Sequence, residues 1–364
     1  MKILFISRAY PPVVGGMENQ NYELSVHLPR HAHTRTIANR YGKRFLPVFL
    51  PYAAIMALIL MRSHDVLLLG DGVLAIVGYL VKLCYGRGKR VVSILHGLDV
   101  TYPMWIYQGL WVKRFLPKLD GLIAVGNETI RQGTSRGLSE KRFAFIPNGI
   151  EPKDLVSNAT RKDLEDILGQ DLGGKYLLLT CGRLTARKGV AWFIEKVMPL
   201  LDEKILYIVA GDGPDKENIL QTIQKHHLEK RVIVLGMVSD EVRNLLLNTC
   251  DIFIQANIKI AGDVEGFGIS VLEAGACGLP VIASRMEGLL DAVQEGQNGF
   301  LVESGNATAF KERIEELLSD DAYRRDFGRK AREFTLANFN WDTIARQYVM
   351  VIRDWLLVAC RRTK

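Results

Sequence analysis

The sequence predicts an α/β fold of two domains, each a doubly wound parallel β-sheet, that face each other across a central cleft. Three observations support this class. The chain has 364 residues, more than twice the usual length of one domain. Its strand-length runs are apolar throughout, as in parallel strands that helices cover on both faces, and they alternate with helix-length segments. This alternation occurs twice along the chain.

The strands fall into two groups of five. The first group is predicted at 3–7, 66–69, 91–95, 122–125 and 143–146, and the second at 176–180, 206–210, 232–235, 252–255 and 281–283. In the second half, helices are predicted between strands and after them at 191–201, 215–227, 241–248 and 310–318. A turn signal at 147–149, Pro-Asn-Gly, precedes a mixed-charge stretch, so we expect an N-terminal domain over 1–150 and a C-terminal domain over 151–340, with the boundary within 151–175.

Charge is divided unevenly between the two halves. Residues 1–150 hold 19 basic and 8 acidic side chains, a net of +11, whereas residues 151–364 hold 28 and 32, a net of −4. Hydrophobic residues make up 48% of the chain and charged residues 24%, which excludes disordered and collagen-like classes. The first domain is therefore expected to meet an anionic partner. A nucleic acid is not favoured, because no aromatic-basic recognition motif is present.

The cysteines indicate neither a metal site nor a disulfide framework. All five are far apart in the sequence, at 84, 181, 250, 277 and 360. We therefore expect a reducing, cytoplasmic compartment and no structural zinc.

One apolar segment has open interpretations. Residues 45–61 carry no charge, and basic residues flank them at 40, 43, 44 and 62. Pro47 and Pro51 are expected to break the first part, leaving only 52–61 as a helix. A buried helix of the first domain is favoured over a membrane-surface element, and a membrane span is least favoured.

Three glycine-containing loops follow predicted strands. Gly15 and Gly16 follow the first strand and precede a helix, where backbone N–H groups favour an anion. In the second domain Arg183 and Lys188 follow a strand, and a guanidinium and an ammonium there suit a diphosphate. A plain turn and a solvated basic loop are the alternatives. The third loop, EGFGISVLEA at 265–274, enters a helix, so its N–H groups can hold phosphate oxygens.

Taken together, these loops resemble the motifs of the GT4 family of retaining glycosyltransferases, which have the GT-B fold of two Rossmann-like domains. The resemblance spans essentially the whole chain and is carried, in order, by Gly15-Gly16, His96-Gly97, the Pro-Asn-Gly turn at 147–149, Gly-Arg-Leu at 182–184 with Lys188-Gly189, Gly-Asp-Gly-Pro at 211–214, Glu265 to Glu273, and Gly-Leu-Pro at 278–280.

The resemblance implies roles for individual residues. Glu265 and Glu273 match the ends of a Glu-x7-Glu motif, the first on the donor sugar and the second on the nucleotide ribose. The implied catalytic residues are His96, Arg183, Lys188 and Glu265. The implied donor-binding residues are Gly15, Gly16, Arg183, Lys188, Glu265, Gly266, Phe267, Gly268, Ile269, Ser270 and Glu273.

The implied activity is metal-independent transfer of a sugar, with retention, from a UDP- or GDP-linked donor to an acceptor hydroxyl. No further cofactor is expected. The basic first domain favours a lipid-linked or cell-surface glycan precursor as acceptor, met in the cytoplasm at the inner face of an anionic membrane. The helical segment 341–364 is expected to cross back to the first domain. A nucleotide-sugar epimerase and a non-catalytic nucleotide-sugar binding protein of the same fold remain alternatives.

Overall fold

The computed structural model describes residues 1–13, 15–155 and 157–361. The chain forms two compact units: unit 1 comprises Met1–Gly149 together with the segment that begins at Trp341, and unit 2 comprises Ile150–Asn340. Each unit holds a six-stranded parallel sheet with helices packed on it. The predicted doubly wound α/β class is therefore confirmed. Val14 of the first glycine loop and residues 362–364 of the predicted C-terminal segment lie outside the described residues.

Unit 1 begins with the first strand of the chain, and the strand order in its sheet is β2-β1-β3-β4-β5-β6. Its strands are β1 (Lys2–Ser7), β2 (His33–Ala38), β3 (Val66–Leu69), β4 (Arg90–Leu95), β5 (Gly121–Ala124) and β6 (Phe143–Phe145). Its helices up to this point are α1 (Gly16–His27), α2 (Leu46–Leu60), α3 (Ala75–Tyr85), α4 (Leu98–Thr101), α5 (Trp105–Tyr107), which continues as a π-helical stretch Gln108–Phe115, and α6 (Asn127–Ser135).

Unit 2 orders its sheet β12-β11-β10-β7-β8-β9. Its strands are β7 (Tyr176–Cys181), β8 (Ile205–Ala210), β9 (Val232–Gly236), β10 (Ile252–Gln255), β11 (Val281–Ser284) and β12 (Phe300–Val302). Its helices are α7 (Arg161–Leu168), α8 (Val190–Lys196), α9 (Lys216–Lys225), α10 (Asp240–Thr249), α11 (Ile269–Ala276), α12 (Leu289–Ala292), α13 (Ala307–Ser319) and α14 (Asp321–Phe339). The last helix, α15 (Trp341–Arg361), belongs to unit 1.

Both faces of the unit 1 sheet are buried, which explains why its central strands read as continuous apolar runs. On β1, Ile3 and Phe5 join the layer formed with α1 and α15, while Leu4 and Ile6 join the layer formed with α2 and α3. α15 contributes Trp341 and Tyr348, both almost completely buried, to the first of these layers.

Each sheet has one point at which the strand order reverses. In unit 1 it lies between β1 and β3, and in unit 2 between β7 and β10. Loops that leave neighbouring strands there diverge to opposite faces, so a crevice opens outside the carboxyl ends of the strands, where ligands of such sheets bind.

Some predicted elements are wrong in detail. The two edge strands β2 and β12 were not expected, because β2 (His-Thr-Arg-Thr-Ile-Ala) is largely polar and β12 has three residues. The prolines do not break the apolar segment, since α2 runs from Leu46 to Leu60 through both. Pro47 lies in the first turn, where its missing N–H needs no partner, and Pro51 lies on the exposed side, where the carbonyl that lacks an intrahelical partner can face solvent.

The favoured interpretation of this segment as a buried helix is also wrong, because α2 buries only one side. Its fully packed residues are Phe49, Ala53 and Ala57. The two units divide between Gly149 and Ile150, just before the predicted boundary segment 151–175. That segment belongs to unit 2: it contains α7, and Leu155, Leu164 and Leu172 are buried in the core.

Candidate active site

The loop after β7 approaches the segment that follows β10 very closely. β7 ends at Cys181, and α8 begins at Val190. Gly189 ends the loop with φ +65°, and a Cβ there would lie 2.0 Å from the carbonyl oxygen of Ala256, so the position requires glycine. This approach places Arg187 and Lys188 beside the residues that follow β10, at the reversal point of the unit 2 sheet.

Glu265 is the centre of the resulting polar cluster. Its Oε2 accepts from Arg187 Nη1 at 2.6 Å, from Lys188 Nζ at 2.8 Å and from Asn257 Nδ2 at 3.1 Å. No described residue donates a hydrogen bond or forms an ion pair to Oε1. One carboxylate oxygen is therefore fully engaged by the protein, and the other is left for a ligand.

The two cations decide the charge of this carboxyl group. Burial by itself would raise the pKa of Glu265, but Lys188 and Arg187 together outweigh it and lower the pKa to about 2. Glu265 is thus ionised at any physiological pH, although its residue surface is only 7% exposed.

Two further contacts orient the Glu265 segment. Arg187 also donates from Nε to Asp263 Oδ1 at 2.9 Å, so a single guanidinium bridges two carboxylates. The backbone N–H of Glu265 donates to Glu287 Oε2 at 2.7 Å. Glu287 has φ +47°, a left-handed conformation that is costly for a residue with a Cβ, and this hydrogen bond is one of the contacts that hold it there.

The first turn of α11 offers backbone N–H groups to a ligand, although that of Val271 already donates to the carbonyl oxygen of Gly268 at 3.0 Å. Gly268 precedes the helix with φ +89°, and no side chain caps the N–H groups of the first turn. Ser270 donates from Oγ to Gln255 Oε1 at 3.4 Å, and Phe267 is buried in the core behind the loop. The loop from Gly266 to Ile269 therefore positions an open helix N-terminus, an arrangement that binds anions.

Arg183 and Glu273 complete the predicted set in unit 2. Arg183 is exposed and forms no ion pair with any described residue. Glu273 lies one turn into α11, and burial raises its pKa against the opposing charges of Arg243 and Lys188. The neighbouring Cys181 has a pKa raised to about 12 by burial and by Glu273, so its thiol is neutral and is not a nucleophile.

In unit 1, His96 follows β4. Its backbone N–H donates to Asp99 Oδ2 at 2.9 Å, and its ring Nε2 lies 3.1 Å from the carbonyl oxygen of Gly70. A carbonyl can only accept, so the neutral ring carries its proton on Nε2. Nδ1 is then the acceptor that a ligand can use.

A buried ion pair occupies the reversal point of the unit 1 sheet. Arg8, after β1, donates from Nε to Asp71 Oδ1 at 2.8 Å, and Asp71, after β3, also accepts from the N–H of Val73 at 2.9 Å. Burial raises the pKa of Asp71 against the attraction of Arg8. Gly15 and Gly16 lie at the start of α1, whose first turn has no side-chain cap.

The structure brings some of the predicted residues together. Lys188 and Glu265 are in direct contact, and Glu273 is close enough for its charge to interact with Lys188. Arg183 forms no hydrogen bond or ion pair with the other predicted residues of unit 2 that the structure describes. Gly15, Gly16 and His96 lie at the carboxyl edge of the unit 1 sheet.

Several residues of these clusters were not expected from the sequence. They are Arg187, Asn257 and Glu287 in unit 2, and Arg8 and Asp71 in unit 1. A signal for the last two is visible in retrospect, because opposite charges follow two strands that become neighbours in the sheet.

Known structures share this architecture. A crystal structure of Alr3699/HepE from Anabaena in complex with UDP aligns with a TM-score of 0.75 at 20% identity, covering 97% of this chain and 100% of that one. The two six-stranded parallel sheets and this alignment define a GT-B fold.

Sequence comparison then identifies the family. Residues 14–154 match the model described as Glycosyltransferase Family 4, and residues 168–334 match that described as Glycosyl transferases group 1. The chain is 30% identical over 285 residues to the N-acetyl-alpha-D-glucosaminyl L-malate synthase of Bacillus anthracis, covering 78% of this chain and 72% of that protein. It is 24% identical over 367 residues to the GDP-mannose-dependent alpha-(1-6)-phosphatidylinositol monomannoside mannosyltransferase of Mycolicibacterium smegmatis, covering 94% and 95%. The chain belongs to the GT4 family and is a glycosyltransferase.

Proposed function

We propose that this enzyme transfers a sugar, with retention of the anomeric configuration, from a UDP- or GDP-linked donor to a hydroxyl group of a lipid-linked or cell-surface glycan precursor. The observation that carries the proposal is the contact of Lys188 with Glu265 at the reversal point of the unit 2 sheet, on the same loop as the exposed Arg183. Both nucleotides occur among the similar proteins, one being GDP-mannose-dependent and one solved with UDP.

Charge and geometry support a donor site in unit 2. The exposed guanidinium of Arg183, the ammonium of Lys188 and the open N-terminus of α11 offer three kinds of donor to a diphosphate. Glu273 is placed to accept from a ribose hydroxyl, and Glu265 Oε1 from a hydroxyl of the transferred sugar. Lys188 would then turn from Glu265 toward the phosphates, while Arg187 and Asn257 keep Glu265 in place.

In this proposal the leaving diphosphate is stabilised by protein cations rather than by a metal. Arg183 and Lys188 neutralise the charge that grows on the diphosphate as the glycosidic bond breaks, which is catalysis by preorganised electrostatics. The acceptor oxygen attacks from the face that the diphosphate leaves, and its proton passes to the departing phosphate oxygen.

A covalent route through Glu265 is disfavoured by its surroundings. A carboxylate whose pKa is about 2 and whose Oε2 accepts three charged or polar hydrogen bonds is a poor nucleophile. Its proposed task is to orient the sugar and to stabilise positive charge on the ring. In unit 1, the Nδ1 of His96 is proposed to accept from a sugar hydroxyl, and the start of α1 at Gly15 and Gly16 to bind a phosphate group.

The proposed setting is the cytoplasmic face of an anionic membrane. The net charge of +11 over residues 1–150 supports an acceptor presented on such a surface. An epimerase or a non-catalytic binder of the same fold is less favoured, because the chain carries the full cationic and carboxylate set and belongs to a transferase family.

A thermal-shift screen with UDP-, GDP- and ADP-sugars tests the donor. We expect one nucleotide class to raise the Tm of the wild type and to have little effect on Glu273→Ala, which removes the ribose acceptor. The stabilising donor is then incubated with lipid-linked acceptors, and the anomeric configuration of the product is read by NMR. An inverted product would contradict retention, and loss of activity on chelation that returns with a divalent cation would contradict metal independence.

A further inference from the structure

The exposed side of α2 is an apolar stripe with a basic end. Val48, Tyr52, Ile55 and Ile59 recur at helical spacing and are 58%, 50%, 59% and 53% exposed. Lys43–Leu60 is long and apolar enough to cross a membrane by length and composition, and only 17% of it is buried. Scattered exposed apolar residues are normal on proteins, but a continuous stripe along a helix marks an interaction surface.

Packing on the opposite side excludes a span in the folded protein. Phe49, Ala53 and Ala57 are buried against the unit 1 sheet together with Leu4 and Leu67. A helix that crosses a bilayer would have to leave this core. The helix therefore presents its apolar stripe from the surface of a folded domain, as a helix lying in a membrane interface does.

Charge around the stripe selects the partner. Arg40, Lys43, Arg44 and Arg62 are all exposed and flank the two ends of α2. None of them forms an ion pair with a described residue. The guanidinium of Arg40 lies 5.7 Å from the centroid of the Tyr10 ring, and the charges of Lys43, Arg44 and Arg62 are available to an external anion. Basic flanks around an apolar helix face are complementary to a bilayer that contains anionic lipids, where each basic residue adds about fivefold in affinity.

A second exposed apolar segment lies at the carboxyl edge of the same sheet. Trp105 is 80% exposed, and Leu98 and Tyr102 are 70% and 47% exposed. α2 follows β2 and this segment follows β4, so the basic start of α2 and Trp105 both lie at the carboxyl edge of the parallel sheet. Tryptophan and tyrosine are the side chains enriched at membrane interfaces.

We propose that the stripe Val48–Tyr52–Ile55–Ile59 and its basic flanks dock unit 1 on an anionic lipid bilayer, with α2 lying in the plane of the interface. The inference deepens the proposed function, because it rests on an acceptor that is itself held in a membrane. It places the carboxyl edge of the unit 1 sheet next to the lipid headgroups, where such an acceptor carries its sugar.

The test is sedimentation of the full chain with vesicles of phosphatidylcholine alone and of equal parts phosphatidylcholine and phosphatidylglycerol. We expect binding to the anionic vesicles that falls at least tenfold in Ile55→Gln/Ile59→Gln and in Lys43→Glu/Arg44→Glu. Matched controls are Ile167→Gln/Leu290→Gln, which removes apolar residues of unit 2 that are 48% and 44% exposed, and Lys225→Glu/Lys230→Glu, which makes the same charge change there. Both controls should bind as the wild type does.

Other outcomes separate this inference from the proposed function. All variants should keep the wild-type Tm and the wild-type turnover of a water-soluble acceptor analogue. If Ile55→Gln/Ile59→Gln and the wild type bind equally well to both kinds of vesicle, the proposed docking surface is wrong. The proposed transfer reaction is not affected by that result. Wild-type dimerisation that Ile55→Gln/Ile59→Gln abolishes, without vesicle binding, would show that a second copy covers the stripe. Vesicle binding without transfer to any lipid-linked acceptor would instead overturn the proposed function.

Discussion

The reversal points of the two sheets hold ion pairs of opposite electrostatic character. In unit 1, the buried Asp71 meets one guanidinium, Arg8, and burial prevails, so the pKa of Asp71 is raised. In unit 2, the buried Glu265 meets two cations, Arg187 and Lys188, and the pKa is lowered to about 2. The fold and the position in the fold are the same in both.

Burial raises the pKa of both carboxyl groups; two cations outweigh it at Glu265, whereas at Asp71 the single cation Arg8 is opposed by burial and by the nearby Asp99. Because both Arg187 and Lys188 pair with Glu265, one of them can hold the carboxylate while the other binds a ligand. In unit 1, the ion pair found for Asp71 among the described residues is that with Arg8, so no second cation can replace it. In the proposed mechanism, Lys188 can therefore turn to the diphosphate while Arg187 keeps its contact with Glu265.

Removal of Lys188, the cation proposed to turn to the diphosphate, should have the largest effect on catalysis. Lys188→Ala should lower kcat/KM by about 10²- to 10³-fold, as expected when one preorganised group that stabilises a developing anion is lost. Steady-state kinetics with the identified donor measures it. Lys196→Ala, which removes an exposed lysine from α8, is the control and should leave kcat/KM unchanged. Full activity of Lys188→Ala would break the assignment of the diphosphate site.

The charge of Glu265 should appear in acid stability. Its folded pKa of about 2 lies below the ordinary value of 4.5, so its stabilisation is complete above pH 4.5 and is lost as the pH falls toward 2. The unfolding free energy of the wild type relative to Glu265→Gln should fall by about 2 kcal/mol between pH 5 and pH 3. Urea unfolding at both pH values measures this, with the surface variant Glu295→Gln as control. A difference that does not change with pH would contradict an ionised, doubly paired Glu265.

Loss of the second cation should have a smaller effect. In Arg187→Ala, Lys188 alone must hold Glu265 and is less free to turn to the diphosphate, so we expect KM for the donor to rise about tenfold with little change in kcat. The acid limb of the rate profile should also move to higher pH, because the pKa of Glu265 rises when Arg187 is absent. Arg187→Lys should restore the acid limb better than KM, since a lysine cannot bridge Asp263 and Glu265 as the guanidinium does. A purely structural role would change neither parameter in this way.

Asp71→Asn should have the smallest effect, a change in the free energy of unfolding whose pH dependence is opposite to that of Glu265→Gln. A folded pKa above the unfolded value gives stability that is present below the unfolded pKa and lost as the pH rises through the folded one. The stability of Asp71→Asn relative to the wild type should therefore improve as the pH rises from 4 to 8, as urea unfolding can show. A relative stability that falls over this range would mean that Arg8 dominates and that the two units are alike.

Much of the fold was predictable, because buried parallel strands carry mostly apolar side chains on both faces. β3 and β10 were predicted to the residue for this reason. β2 was not predicted, because an edge strand tolerates polar residues. The helix α2 was predicted too short, because the exposure of Pro51 is a property of the tertiary structure.

The candidate site was predictable in residue type but not in pairing. Arg183, Arg187 and Lys188 lie within six positions, and the sequence does not show which of their side chains turn toward Glu265. The structure turns Arg187 and Lys188 inward and leaves Arg183 exposed. The Arg8–Asp71 pair joins residues 63 positions apart, a separation over which no local pattern operates.

The return of α15 to unit 1 has a consequence for synthesis on the ribosome. Trp341, Tyr348 and Ile352 fill the layer that α1 begins, and Gln20 Nε2 donates to the hydroxyl of Tyr348 at 3.2 Å. Unit 2, by contrast, is contiguous in the chain. The nascent unit 2 can fold as soon as it emerges, whereas one face of the unit 1 sheet lacks the part of its cover that α15 supplies until that helix is made. Domains usually fold in the order of translation, and in this chain the order of completion is reversed.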